Sequence, residues 1–286
     1  KFSGLLRAYD WMYLRDIAVS NGTFKFQRQW HTASLKTSRL MYKEEVESLI
    51  RTPSCAGLQL LDVRDYTGQG EAWVGWLDAF FDAKPATAEL RPFADFFRPV
   101  TTLARFERHV WKAGETFTAR LQVRNMTEDD LPAGAAWPLS FAGRHRWVQL
   151  ERPVRPGEIA DVGRFSVKLE PWMARGGLEL RFGENRWNVF VMDASDKPVP
   201  VPQDVLFTDD PAKMADCLAE GGKVVYTGKS AVTGNGRFLP VYWSTVFFSG
   251  SRRRSALLGT WFDEIHGAFS RFPTEDWMDW QWRSMT

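Results

Sequence analysis

The stretch "LQLLDVRDYTGQGEAWVGWLDAFFD", residues 58–82, decides how the first third of the chain is read. An apolar run from Leu58 ends at Asp62, Asp65 follows, and Gly68 and Gly70 flank Gln69 in a short loop. After the loop Trp73, Val74, Trp76, Leu77, Phe80 and Phe81 recur at helical spacing. Upstream, "SRLMYKEEVESLIRTP" places Leu40, Met41, Val46, Leu49 and Ile50 near one helical face and stops at Pro53. Helix, buried strand, loop and helix make a βα unit with its preceding helix. In an α/β barrel the side chains at the C-terminal end of a strand and in the loop after it face the ligand. Asp62, Asp65 and Gln69 are therefore candidate ligand contacts, and Glu71 lies in the same loop. The competing reading is that Asp62 or Asp65 caps the next helix or binds loop amides. Their spacing of three argues against a catalytic pair, because a continuing strand would point them to opposite faces. Trp73 could stack on a ligand, but its helical spacing favours core packing.

The chain has 286 residues, enough for two or three domains, and its 44% apolar and 25% charged content is that of a globular protein. With 37 basic and 35 acidic residues the net charge is +2, so nothing in the balance calls for nucleic acid or an anionic membrane as partner. No apolar run is long enough to span a membrane, and no signal peptide is read. Fourteen tryptophans and twenty-one phenylalanines are the anomaly. Large side chains filling cores and interfaces account for most of them, and stacking on the apolar face of a sugar ring is a second use.

The pattern changes after the first hundred residues. In "GETFTARLQVRN" Phe117, Ala119, Leu121 and Val123 alternate with polar residues, the mark of a strand with one wet face. "GRFSVKLEP", "GGLELRFG" and "NRWNVFVMD" repeat the style, which predicts a β-sandwich over 98–196. Prolines 198, 200 and 202 mark a linker. "TDDPAKMADCLAEGG" then has the acidic start, early proline and double-glycine stop of a helix, and "KVVYTG" reads as a strand. A small α/β domain over 197–286 is expected.

Few other motifs carry chemistry. "GGKVVYTGKS" has five residues where a phosphate loop needs four, and they form the strand itself. His31, His109, His145 and His266 are scattered without ligand spacing, so neither a metal site nor a cofactor is expected. "GRHRW" and "SRRRS" read as solvated loops, and Asn125-Met126-Thr127 matches a glycosylation sequon of a kind common by chance. There is no G-x-S-x-G elbow. Cys55 and Cys217 read as buried free thiols.

Taken in order, "YKEEVESLIRTPSCAGLQLLDVRDYTGQGEAWVGWLDAFFD", "ENRWNVFVMD", "GGKVVYTG", "FLPVYWS" and "HGAFSRFPTEDWMDWQW" resemble the later part of glycoside hydrolase family 2-like enzymes, the β-galactosidase-like group common in gut Bacteroidetes. The resemblance implies a multidomain α/β plus β chain. Residues 1–97 would be the terminal part of a (β/α)8 (TIM) barrel, 98–196 an immunoglobulin-like β-sandwich and 197–286 a small α/β domain. Leu58–Asp62 would be strand eight. The related enzymes carry a Trp-Asp-Trp-x-x-Asp-like segment there. Leu61 and Val63 stand at the tryptophan positions, and the aspartate spacing survives as Asp62 and Asp65.

The implied activity is retaining hydrolysis of glycosidic bonds in oligo- or polysaccharides. That chemistry uses two carboxylates about 5–5.5 Å apart. In the family they sit on strands four and seven, which would precede Lys1, so the catalytic residues are not named in this chain. Glu44, Glu45 and Glu47 read as solvated helix charges. Substrate-binding residues would be Asp62, Asp65, Gln69, Glu71 and Trp73. The partner would be carbohydrate, in a periplasmic or secreted setting. The rest of the barrel is expected from another chain, another copy or a missing segment, because strand eight alone leaves open edges. The alternative is a non-catalytic carbohydrate-binding or assembly fragment, with Trp277, Trp280 and Trp282 packing in an interface or forming a sugar platform.

Overall fold

The computed structural model describes residues 9–60, 63–65, 75–84, 95–174, 177–193, 200, 202–228, 259–270 and 272–285. The chain divides into two compact units, Lys1–Asp193 with Leu258–Met285, and Ala194–Leu257.

The described residues of the first unit form eight strands: β1 (Val100–Arg105), β2 (Val110–Lys112), β3 (Thr116–Asn125), β4 (Ala136–Phe141), β5 (Arg144–Gln149), β6 (Ile159–Lys168), β7 (Gly177–Phe182) and β8 (Asn185–Met192). One sheet has the order β1-β3-β6 and the other β2-β8-β7-β4-β5. All pairings are antiparallel except β2 with β8. The first two strands fall in opposite sheets, a Greek-key sandwich. In β3, Phe117, Ala119, Leu121 and Val123 are buried and Thr116, Thr118 and Arg120 are exposed. They meet Leu139, Phe141, Leu180, Phe182, Val189 and Val191 of the other sheet in one continuous core. Phe117 stacks on Phe141 with centroids 4.8 Å apart. The register of β3 and β6 slips at Leu121/Gln122, opposite Gly163, whose φ of +105° is open to glycine and strained for other residues.

Two helices precede the sandwich, α1 (Tyr9–Ser20) and α2 (Gln27–Arg51). The buried face of α2 is Ala33, Thr37, Lys43, Val46, Glu47 and Ile50, at helical period. Val46 and Ile50 pack on Phe96 and Leu103, with Leu58 partly buried against them. The segment 259–285 returns to the same unit. At Gly259, with φ +120°, a Cβ would lie 2.8 Å from the Ala33 carbonyl oxygen, so the returning segment can lie directly on α2. Trp261 stacks on Phe26, and Lys36 of α2 pairs with Asp276 at 2.7 Å.

Residues 1–97 overturn the barrel expectation. Among the described residues there is no (β/α)8 barrel: 55–60 form no strand, and Arg64 and Leu77 make only an isolated parallel bridge. A buried strand needs a neighbour on both edges to satisfy its amides. The described part of this run has none, and Leu58 instead fills the seam below α2. The expected helix also fails over its described part, 75–84. Asp78 accepts from the amides of Phe80 and Asp82, closing a tight turn with Phe81 at φ +69°. Phe80 and Phe81 are exposed there. The (β/α)8 reading falls, and the described structure is mainly β-sheet with few helices.

Among the described residues of the second unit are two parallel strands, β9 (Val205–Thr208) and β10 (Lys223–Tyr226), joined through α3 (Pro211–Ala219). The Asp210 side chain accepts from the amide of Ala212 at 2.9 Å as N-cap, and Pro211 follows it.

Candidate functional site

Where α2, the outer face of the β7–β8 hairpin and the returning segment meet, a cleft of about 230 Å³ opens. Helix α2 contributes Lys36, Arg39, Lys43 and Glu44 to its walls. The sandwich contributes His109, Glu179, Arg186 and Asn188, and the returning segment Glu275, Trp277 and Trp280.

Its floor is a buried polar network. Glu47 is fully buried, pairs with Lys43, and accepts from Arg51 at 2.6 Å, Asn185 at 2.8 Å and the Trp187 indole at 3.1 Å. Lys43 donates to Asn185 Oδ1 at 2.7 Å and lies 4.3 Å from the Trp187 ring centroid. Burial works to raise the Glu47 carboxyl, but Lys43, Arg51 and Asn185 outweigh it, so the group stays below the usual carboxylate range. Asn185 also donates to the Thr102 carbonyl, tying the network to β1. Glu44, one turn away and partly buried, is raised by burial and by the charge on Glu47. The expectation of solvated charges fits Glu45, which is exposed, and fails for Glu47.

The cations on the walls are already paired. Arg39 and Arg186 share Asp95 at 2.9 and 3.2 Å, and Lys36 holds Asp276. The returning segment is anchored through Asp279, which is buried and accepts from Asn188 Nδ2 at 2.6 Å and from the Trp280 amide at 2.6 Å. Burial raises its carboxyl to about 6. The Trp280 ring stacks on His109, with centroids 4.5 Å apart at 12°, and Phe106 meets the His109 ring edge-on at 4.8 Å. Nδ1 of His109 lies 2.7 Å from the Asn188 carbonyl oxygen. Burial lowers the imidazole to about 4, so the ring is neutral at physiological pH. The Trp280 indole nitrogen is buried without a hydrogen-bond partner among the described residues. Trp277 donates to Glu275 at 2.7 Å, and Trp282 packs on Phe262, Phe269 and Phe272.

Of the residues expected at the site, Asp65 alone lies among the described residues. Asp65 accepts from the amide of Gly75 at 2.9 Å and pairs with Lys84 at 2.8 Å, holding its loop rather than facing the cleft. Asp62, Gln69, Glu71 and Trp73 lie outside the described residues. Asn125 of the sequon is fully buried and bonded to the carbonyls of Asp129 and Val154, which closes it to glycosylation in this fold. Cys55 and Cys217 are free and partly exposed. Among the described residues no group of His, Cys, Asp and Glu is placed to hold a metal. Reasoning from the sequence missed His109, Asn188 and Asp279. The usable signal was "WMDWQW", in which an acid sits between tryptophans that need burial.

Residues 205–286 match a family described as a domain of unknown function (DUF8487). No curated protein matches the chain. Similar solved structures include the CARDB domain of the PF1109 protein from Pyrococcus furiosus in complex with di-metal ions, at 15% identity, TM-score 0.25, covering 34% of this chain and 96% of that one. Spo0M, a sporulation control protein from Bacillus subtilis, gives 13% and 0.23 over 34% of this chain and 50% of its own. The Pseudomonas fluorescens alkylpurine DNA glycosylase AlkC bound to DNA containing an abasic site analog gives 10% and 0.23, over 38% and 34%. Likenesses this weak bear on neither fold nor function.

Proposed function

We propose that the chain is a non-catalytic carbohydrate-binding fragment whose cleft takes a single sugar ring of a neutral glycan. The supporting observation is the lining: tryptophan beside polar side chains whose charges are already compensated. Lys36, Arg39, Lys43 and Arg186 each have a carboxylate partner within 4 Å, so the cleft offers many directional hydrogen bonds and little net field. Such a site suits a ligand rich in hydroxyls better than a strongly charged one. Trp277 and Trp280 supply the apolar surface against which C–H groups can rest. Titrating the chain calorimetrically with a panel of methyl glycopyranosides tests the reading. Saturable binding that Trp280→Ala weakens and Asp65→Ala leaves unchanged supports it. Hydrolysis of aryl glycosides by the chain, or no binding across the panel, contradicts it.

A second reading, assembly, is favoured by α1. Its Tyr13, Leu14 and Val19 are 68%, 61% and 56% exposed, an apolar surface that suits packing against further polypeptide. A chain that stays monomeric at concentrations of tens of micromolar in light scattering contradicts association between copies.

A further inference from the structure

We infer that His109 is the specificity-determining acceptor of the cleft, presenting Nε2 as a lone pair to one hydroxyl of the bound sugar. The inference rests on the sugar-binding reading above and adds which kind of ligand group the site selects. Nδ1 lies 2.7 Å from the Asn188 carbonyl oxygen, and a carbonyl only accepts, so Nδ1 carries the proton. The second nitrogen of a neutral imidazole is then an acceptor. Among the described residues no hydrogen bond involves Nε2, although His109 borders the cleft.

The ring is held in place on both counts that matter, position and tautomer. Trp280 stacks on it, Phe106 meets it edge-on, and β8 fixes Nδ1. Asn188 is in turn held by Asp279 through its side-chain amide. Buried surroundings keep the imidazole uncharged. A carboxylate has no proton to give this nitrogen at neutral pH, whereas a hydroxyl donates one. The nitrogen thus selects a hydroxyl over a carboxylate at the one ligand position it faces.

The test uses the full chain, unaltered and as His109→Phe, which keeps a flat ring and removes the acceptor. Affinities are measured for methyl glycopyranosides and for their monodeoxy counterparts. One hydroxyl is expected whose removal weakens binding about tenfold in the unaltered chain, equivalent to about 1.4 kcal/mol, and not at all in His109→Phe. Equal losses in both proteins for every deoxy sugar overturn the inference while leaving sugar binding intact. ¹⁵N spectra of the unaltered chain supply a measurement independent of the variant's folding. An unprotonated Nε2 at pH 7 that shifts when the glycoside is added supports the assignment, and a protonated Nε2 overturns it. If no glycoside binds although Nε2 is unprotonated, the sugar reading fails and the ligand assigned to His109 goes with it.

Discussion

The sandwich core and the seam between α2 and the sandwich are equally dry and are held together by opposite means. Between the sheets Phe117, Leu121, Leu139, Phe182 and Val189 are buried in one apolar cluster. At the seam Lys43, Glu47, Asn185 and Asp279 are buried to the same degree. The first region gains stability from any good apolar fit. The second adds to the packing of Val46, Ile50, Phe96 and Leu103 a set of buried charges that must each keep a partner, because an ion left alone in a dry site has lost its water for nothing. That difference fixes what should happen when each is broken.

The largest effects are expected from one deletion in each region. Phe117→Ala should cost about 3–5 kcal/mol by leaving a cavity between the sheets. Glu47→Ala should cost a similar 3–5 kcal/mol by stranding the Lys43 ammonium. Urea unfolding followed by tryptophan fluorescence measures both. The regions separate in the double variant Lys43→Met/Glu47→Leu, which should recover only the part of the loss due to the stranded ammonium, since Arg51, Asn185 and Trp187 still lose their acceptor. A double variant as weak as Glu47→Ala would show that the network does more than keep its own charges paired.

Acid sharpens the contrast. The apolar cluster between the sheets has no titrating member, whereas at the seam His109 and Asp279 oppose each other beside the lowered Glu47 and the raised Glu44. His109 is lowered from 6.5 to about 4, so the unfolded chain binds more protons between those values, and its contribution is full above pH 6.5 and lost as pH falls toward 4. Asp279 is raised from 3.8 to about 6, so the folded chain binds more protons, and stability from this group falls as pH rises from 3.8 through 6. Between pH 4 and 6 the two slopes nearly cancel. Stability of Asp279→Asn should therefore rise with pH across that window, and stability of His109→Phe should fall. Slopes unchanged from the unaltered chain in both variants would remove these two groups from the seam's pH dependence.

Smaller effects belong to the loops. Asp65→Ala should cost about 1–2 kcal/mol through lost charge-assisted bonds to Gly75 and Lys84, with no change in glycoside affinity. Asp210→Ala should cost about 1 kcal/mol, confined to α3 and its strands, because only a helix cap is removed. Amide exchange locates both losses.

The same contrast explains what the sequence disclosed. The alternation around Phe117–Val123 is a period-two signal that neighbouring strands only reinforce, and it was readable residue by residue. The punctuation Asp210-Pro211 at the start of α3 is likewise local. Leu58–Leu60 looked like a barrel strand because an apolar run records burial without saying what covers it. Residues 76–81 had helical spacing, but Asp78 took the local amides for a turn. The site was the least legible part. Lys43 and Glu47 at i and i+4 look like any solvated helix pair, and their partners Asn185 and Trp187 are more than a hundred residues away. Asp65 was expected at a ligand, with a loop-amide role as the competing reading, and it accepts from the Gly75 amide.

The most direct test of the cleft is the indole and imidazole region of a ¹⁵N-edited spectrum as methyl glycopyranosides are added to the whole chain. Sugar seated where α2, β8 and the returning segment meet should shift the Trp277, Trp280 and His109 resonances together, saturably, and leave Trp147 on the exposed strand β5 unmoved. A spectrum in which those three resonances stay fixed while any other tryptophan moves, or in which nothing moves, would contradict a carbohydrate site in this cleft.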